Sequence, residues 1–124
     1  MNPQVQKFIK ILALEIESME DELSMLLETL EDRHARQEIS DYVRNENFVV
    51  LRNEVLGLHD CMHGLDDVRG CPAETLDDAA NLAREVLHRR IADHGYVPAL
   101  GRLIDARIDK IVRYINESEV PLRR

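Results

Sequence analysis

Apolar residues recur through the first thirty positions at Val5, Ile9, Leu12, Ile16, Met19, Leu23, Leu26 and Leu30, in alternating steps of four and three. An average step of about 3.5 residues keeps one narrow stripe of a long helix turned toward a partner helix, leaving the positions between free to be charged. Asn2 followed by Pro3 offers an N-cap with proline at the first helical position, so the helix starts there and runs to about Glu31. Asp32 to Asn45 carries a weaker stripe (Ile39, Tyr42, Val43) and reads either as a separate helix or as the start of the next. Phe48, Leu51, Val55, Leu58, Met62 and Leu65 then resume the heptad spacing, with Gly64 and Gly70 marking the end of that helix. Thr75 and Asp78 form a capping box with Asp in place of Glu, although Pro72 allows an earlier start. Leu76, Ala79, Ala80, Ala83, Val86, Leu87 and Ile91 make the next apolar face, whose alanines favour close helix approach. Gly95 suits the residue after a helix cap, Pro98 stops continuation, and Leu100, Leu103, Ile104, Ile108, Ile111 and Ile115 define the last amphipathic helix.

These elements predict an all-α fold: an antiparallel bundle of four or five helices with a long N-terminal helix. Residues 1–117 form a single domain, and 118–124 a short flexible tail. No alternating run bounded by turns competes for a strand. The predicted core includes Leu23, Leu26, Leu51, Val55, Leu58, Ala83, Leu87, Ile104, Ile108 and Ile111. Because the first stripe outlasts every later one, part of Val5 to Leu30 is expected to be buried against a second copy of the chain.

Composition supports this picture. The chain has 124 residues, 44% of them hydrophobic but only 4% aromatic, and it lacks Trp, which suits a core of Leu, Ile, Val and Ala between helices. The N-terminus has no apolar signal-peptide core and no run of apolar residues is long enough to span a membrane, so a cytoplasmic protein is expected. In that setting Cys61 and Cys71 are expected to be thiols. The net charge of −8 is unevenly spread: −5 over residues 1–31, −3 over 32–69, −2 over 70–96 and +2 over 97–124. The only basic surface lies in the last helix (Arg102, Arg107, Lys110, Arg113) and the tail, which argues against general DNA binding. The acidic first helix suits either a solvated face or a basic protein partner.

Four constellations bear on chemistry. His34 and Glu38, His59 and His63, then His88 and Asp93 follow an order that resembles hemerythrin. His63 near the end of one helix and His88 deep in the next fall in different layers of an antiparallel pair, so no metal centre is predicted. His59, Cys61, His63 and Cys71 have zinc-ligand residue types, but a spacing of two turns Cys61 away from the two histidines. Glu17-x-x-Glu20 and Glu38-x-x-Asp41 resemble the paired carboxylates of MazG-type nucleotide pyrophosphohydrolases, in which two facing pairs hold Mg²⁺. Solvated helix faces are the better reading of these acids. No cofactor is expected.

The fourth constellation is Arg89-Arg90-Ile91-Ala92-Asp93-His94-Gly95-Tyr96, an R-x4-H-x-Y segment at a helix end. It resembles the motif of HEPN domains, all-α proteins that usually dimerise and whose active members cleave RNA without metal. The resemblance covers about residues 85 to 117. It implies that Arg89 stabilises a phosphate transition state, that His94 acts on the 2′-hydroxyl or leaving group, and that Tyr96 supports them. The same residues also read as a helix terminus, with cations in the last turn, His94 near the cap and Gly95 just beyond it. The function expected from the sequence is therefore a small cytoplasmic protein acting by protein contact, a homodimer serving as a regulatory or interaction module. The alternatives are a HEPN-like ribonuclease toxin or inactive relative, and an acidic immunity or inhibitor protein.

Overall fold

Asn2 opens the first helix: its side-chain oxygen accepts a hydrogen bond from the Gln4 N–H at 2.8 Å, and Pro3 occupies the first turn, where no N–H partner is needed. The computed structural model describes residues 2–70 and 72–118. They form four helices, α1 (Pro3–Ala35), α2 (Asp41–Gly70), α3 (Leu76–Asp93) and α4 (Pro98–Ser118), with no strand among the described residues. No helix is long and apolar enough to cross a membrane.

Residues 32–45 are not a helix of their own: α1 continues to Ala35, and α2 begins at Asp41. Between them lies a tight reversal. The Glu38 N–H donates to the Arg33 carbonyl and the Gln37 N–H to the His34 carbonyl, both at 3.0 Å, while Gln37 takes a φ of 62°. This is the Schellman pattern, with Gln37 in the left-handed position that usually favours glycine. Gly64 does not end a helix either; it lies within α2 on its buried face, and α2 runs on to Gly70. Thr75 caps α3 as expected, its hydroxyl accepting from the Asp78 N–H, so the helix starts after Thr75 and not at Pro72. Ser118 belongs to α4, its hydroxyl donating to the Ile115 carbonyl; the rest of the predicted tail and Cys71 lie outside the described residues.

Neighbouring helices exchange ion pairs in opposite order along their length. On α1 and α2, Glu20 meets His59 and Glu31 meets Arg44; on α3 and α4, Arg84 meets Asp109 and His88 meets Asp105. Asp60 of α2 pairs with Arg90 of α3, and Glu15 of α1 with Arg107 of α4. One core joins all four helices, with Phe8, Leu12 and Ile16 of α1 against Leu58 and Leu65 of α2, Leu87 of α3 and Ile104, Ile108 and Ile115 of α4. Gly57 and Gly64 allow α2 to approach its neighbours closely. A Cβ at Gly57 would collide with Leu100, and one at Gly64 would lie 2.9 Å from Leu87 and Arg90 side-chain carbons.

The core stops short of the predicted one. Leu58, Ala83, Leu87, Ile104, Ile108 and Ile111 are buried, but Leu23, Leu51 and Val55 are only half-buried and Leu26 is exposed. The reason is length. α1 and α2 have 33 and 30 residues against 18 and 21 in α3 and α4, so α1 beyond Met19 and α2 before Gly57 extend past the helices that cover their inner halves.

Candidate functional site

The first candidate surface lies where α3 ends. The Tyr96 N–H donates to the Ile91 carbonyl and the Gly95 N–H to that of Ala92, with Gly95 at φ 69°, so His94 is the cap of a second Schellman turn. This turn brings the Tyr96 ring over His94, with centroids 6.0 Å apart and planes within 17°. Arg90 and His94 are four residues apart and share a helix face. His94 Nδ1 lies 2.9 Å from the Arg90 carbonyl, which can only accept, and 3.3 Å from Asp60 Oδ2. Arg90 Nη1 lies 2.7 Å from Asp60 Oδ1, and Nη2 lies 3.6 Å from Asp67. Asp60 Oδ2 is buried and accepts no hydrogen bond, because the Nδ1 proton of His94 points to the Arg90 carbonyl.

Asp60 colours its neighbours. Burial first, and then the Asp60 charge, push the Cys61 thiol up to about 12, with Arg90 acting in the opposite sense. Burial, Asp60 and Cys61 likewise raise the Tyr96 phenol. Both groups therefore hold their protons at neutral pH, and Cys61 is a buried thiol rather than a nucleophile.

Arg89 stands differently. Its side chain is 63% exposed and reaches back to Glu85 at 2.7 Å. Five residues separate it from His94, about 140° around a helix at 3.6 residues per turn, so the two do not share a face. Both nonetheless border one open groove of about 550 Å³, together with Glu85, Val86, Arg90 and Asp93. The groove's lining is mixed in charge: a half-exposed imidazole and two guanidinium groups, which pair with Glu85 and with Asp60 and Asp67, stand beside the carboxylates of Asp67, Glu85 and Asp93.

The remaining candidates are dispersed. His59 and His63 stand edge to face on the exposed side of α2, with ring centroids 5.0 Å apart, and Cys61 is buried on the other side. His34 pairs with Asp41 at 2.6 Å and Glu38 with Arg33 at 3.7 Å in the α1–α2 reversal. Glu20 pairs with His59 and lies about 20 Å from that reversal along α1 at about 1.5 Å per residue, and Glu17 is exposed, so the two carboxylate pairs do not face each other. His88 meets Asp105 of α4 at 2.8 Å, while Asp93 lies on the groove beside His94. Among the described residues no three His, Cys, Asp or Glu side chains come together in a way that could hold a metal ion.

The second candidate surface is the uncovered hairpin, residues 20–56. Of the ten large apolar side chains exposed among the described residues, seven are here: Met25, Leu26, Tyr42, Val43, Val49, Val50 and Leu56. Three of them continue core stripes. Leu26 follows Val5, Leu12 and Met19 at steps of seven, and Val43 and Val50 precede Gly57 and Gly64 at the same step. Positions seven apart lie about 20° from alignment on a helix, so each stripe is buried where α3 and α4 lie over it and bare beyond them. Leu26 is 52%, Val50 49% and Val43 40% exposed.

Sequence reasoning singled out Arg89, His94 and Tyr96 but passed over Asp60 and Arg90, which touch His94 directly. The signal for Arg90 was its four-residue spacing from His94. No protein family, curated protein or solved structure matches this chain.

Proposed function

We propose that this protein works by protein contact, as an antiparallel helical bundle whose long N-terminal helix and its α2 partner project a binding hairpin. The observation that supports this reading is the bare continuation of two core stripes at Leu26, Val43 and Val50. Apolar side chains in contiguous patches on a water-facing surface mark places where another surface docks. Photo-crosslinking tests it: a benzophenone amino acid at Val50 is expected to yield adducts with polypeptide in cells, whereas one at exposed Asp77 on α3 yields none. Absence of adducts at both Val50 and Leu26 overturns the reading.

A second reading is favoured by the groove that Arg89, Arg90 and His94 border. A HEPN-like ribonuclease would use the arginines against a phosphate and His94 in proton transfer. Purified protein would then cleave single-stranded RNA in EDTA, and His94→Ala would abolish cleavage without changing the melting transition. An inactive wild type overturns it.

A further inference from the structure

We propose that His59 and His63 on α2 chelate a divalent transition metal ion of the nickel, copper and zinc group, with Glu20 of α1 holding His59 in its ligating form. The proposal goes beyond the protein-contact reading and does not depend on it.

Spacing supplies the chelate. Residues four apart on a helix stand one above the other on the same face, and two histidines so placed can close on one ion across a single turn. Both rings lie on the exposed side of α2, edge to face, with planes at 84° and centroids 5.0 Å apart. A metal bonded to both rings at about 2.1 Å, with a tetrahedral angle between the bonds, sets the centroids about 5 Å apart. The helix therefore already holds the two rings at the separation that the ion requires. Cys61, turned into the core, takes no part.

Glu20 is an independent observation, because it comes from another helix. Its Oε1 lies 3.2 Å from His59 Nδ1. A carboxylate can only accept, so Nδ1 carries the ring proton, and Nε2, on the other side of the ring, keeps the lone pair that a metal needs. A carboxylate behind a histidine is the usual device that fixes the tautomer of a ligating imidazole and raises its basicity. His63 makes no hydrogen bond or ion pair among the described residues, so its exposed ring is free to turn a nitrogen toward the ion.

The donors select the class of metal. Two neutral imidazoles, with water in the remaining positions, suit nickel, copper and zinc; calcium and magnesium take oxygen ligands. The net charge of −8 favours a cation at this surface.

Isothermal titration of the untagged chain with NiCl₂ tests the site. One saturable Ni²⁺ per chain is expected, with a dissociation constant below about 1 mM. His59→Ala and His63→Ala should each weaken binding at least about tenfold while keeping the helical circular dichroism, since both rings are exposed. Glu20→Ala should weaken it about tenfold through His59. His88→Ala, whose ring is engaged by Asp105 of α4, should leave it unchanged. The chelate exists only where α2 is helical, so Ni²⁺ should also raise the thermal unfolding midpoint of the wild type and leave that of His63→Ala where it was. This second reading separates the pair from weaker sites elsewhere on the chain. No saturable binding, affinity retained in His63→Ala, or an equal rise in both midpoints overturns the site. Unchanged affinity in Glu20→Ala overturns the role given to Glu20.

Discussion

Arg90 Nη1 sits 2.7 Å from Asp60 Oδ1, and this pair fixes which arginine of the Arg89-Arg90 doublet turns inward. Arg90 lies between α3 and α2, whereas Arg89 lies along the outside of α3. Arg90→Ala strands the Asp60 carboxylate, one of whose oxygens is already without a hydrogen bond, and is expected to destabilise the fold by about 1–3 kcal/mol. Arg89→Ala removes an exposed pair and should change stability by less than about 0.5 kcal/mol. Urea unfolding of the two variants checks the difference, and equal midpoints would show that the doublet is not divided in this way.

The division of α1 and α2 into covered and bare halves makes a second contrast. Leu58→Ala empties a fully enclosed site and should cost about 2–5 kcal/mol, the lost transfer energy adding to that of a cavity. Leu26→Ala, measured in dilute protein by the same method, should cost less than about 1 kcal/mol, because half of that side chain is already in water.

Gly57 gives a third. Its missing side chain is the space into which Leu100 and Tyr96 pack, so Gly57→Val would force α2 away from the start of α4. A loss of about 1–3 kcal/mol is expected, whereas at an open helical position the same change would bring a gain of a few tenths of a kcal/mol. Thermal melting followed by circular dichroism reads the sign directly.

Cys61 links stability to pH. A thiol held up to about 12 in the fold ionises near 9 once the chain unfolds, so between these values the unfolded state releases a proton that the folded state keeps. Its contribution to stability is therefore complete below about pH 9 and is lost as pH rises toward 12. Cys61→Ala should flatten the alkaline fall in unfolding midpoint. In the wild type at pH 8, a thiol reagent is expected to modify Cys61 only as fast as the protein opens.

The two Schellman turns show what was legible in the sequence and what was not. Gly95 announced its turn, because glycine is the residue that the left-handed conformation favours, and φ there is 69°. Gln37 makes the same turn at φ 62° but carries a side chain that gives no such signal, so the segment from Asp32 to Asn45 stayed ambiguous between a helix and a link. Gln37→Gly is accordingly expected to stabilise the protein by about 0.5–1 kcal/mol, and Gly95→Gln to destabilise it by a similar amount, by chemical denaturation. Helix identity was legible because the stripes at Val5 to Leu30 and Leu100 to Ile115 are periodic. Coverage was not, since Leu12 and Leu26 occupy equivalent places in the heptad and differ only in whether a shorter helix reaches them. The site was half legible for the same reason: periodicity gives a residue's face but does not say that Asp60, thirty residues before Arg90, will stand opposite it.

The pairing of Glu15 with Arg107, which brings the last helix onto the first, has a consequence for the order in which the chain is made. Synthesis at about 5–20 residues per second leaves the Val5 to Met19 stripe waiting for several seconds before α4 emerges to close over it. Until α3 emerges, α1 can fold back only on α2, and the one structure within its reach is the hairpin itself. The projecting arm is thus the first part of the molecule to have all of its own contacts available, and the enclosed core the last.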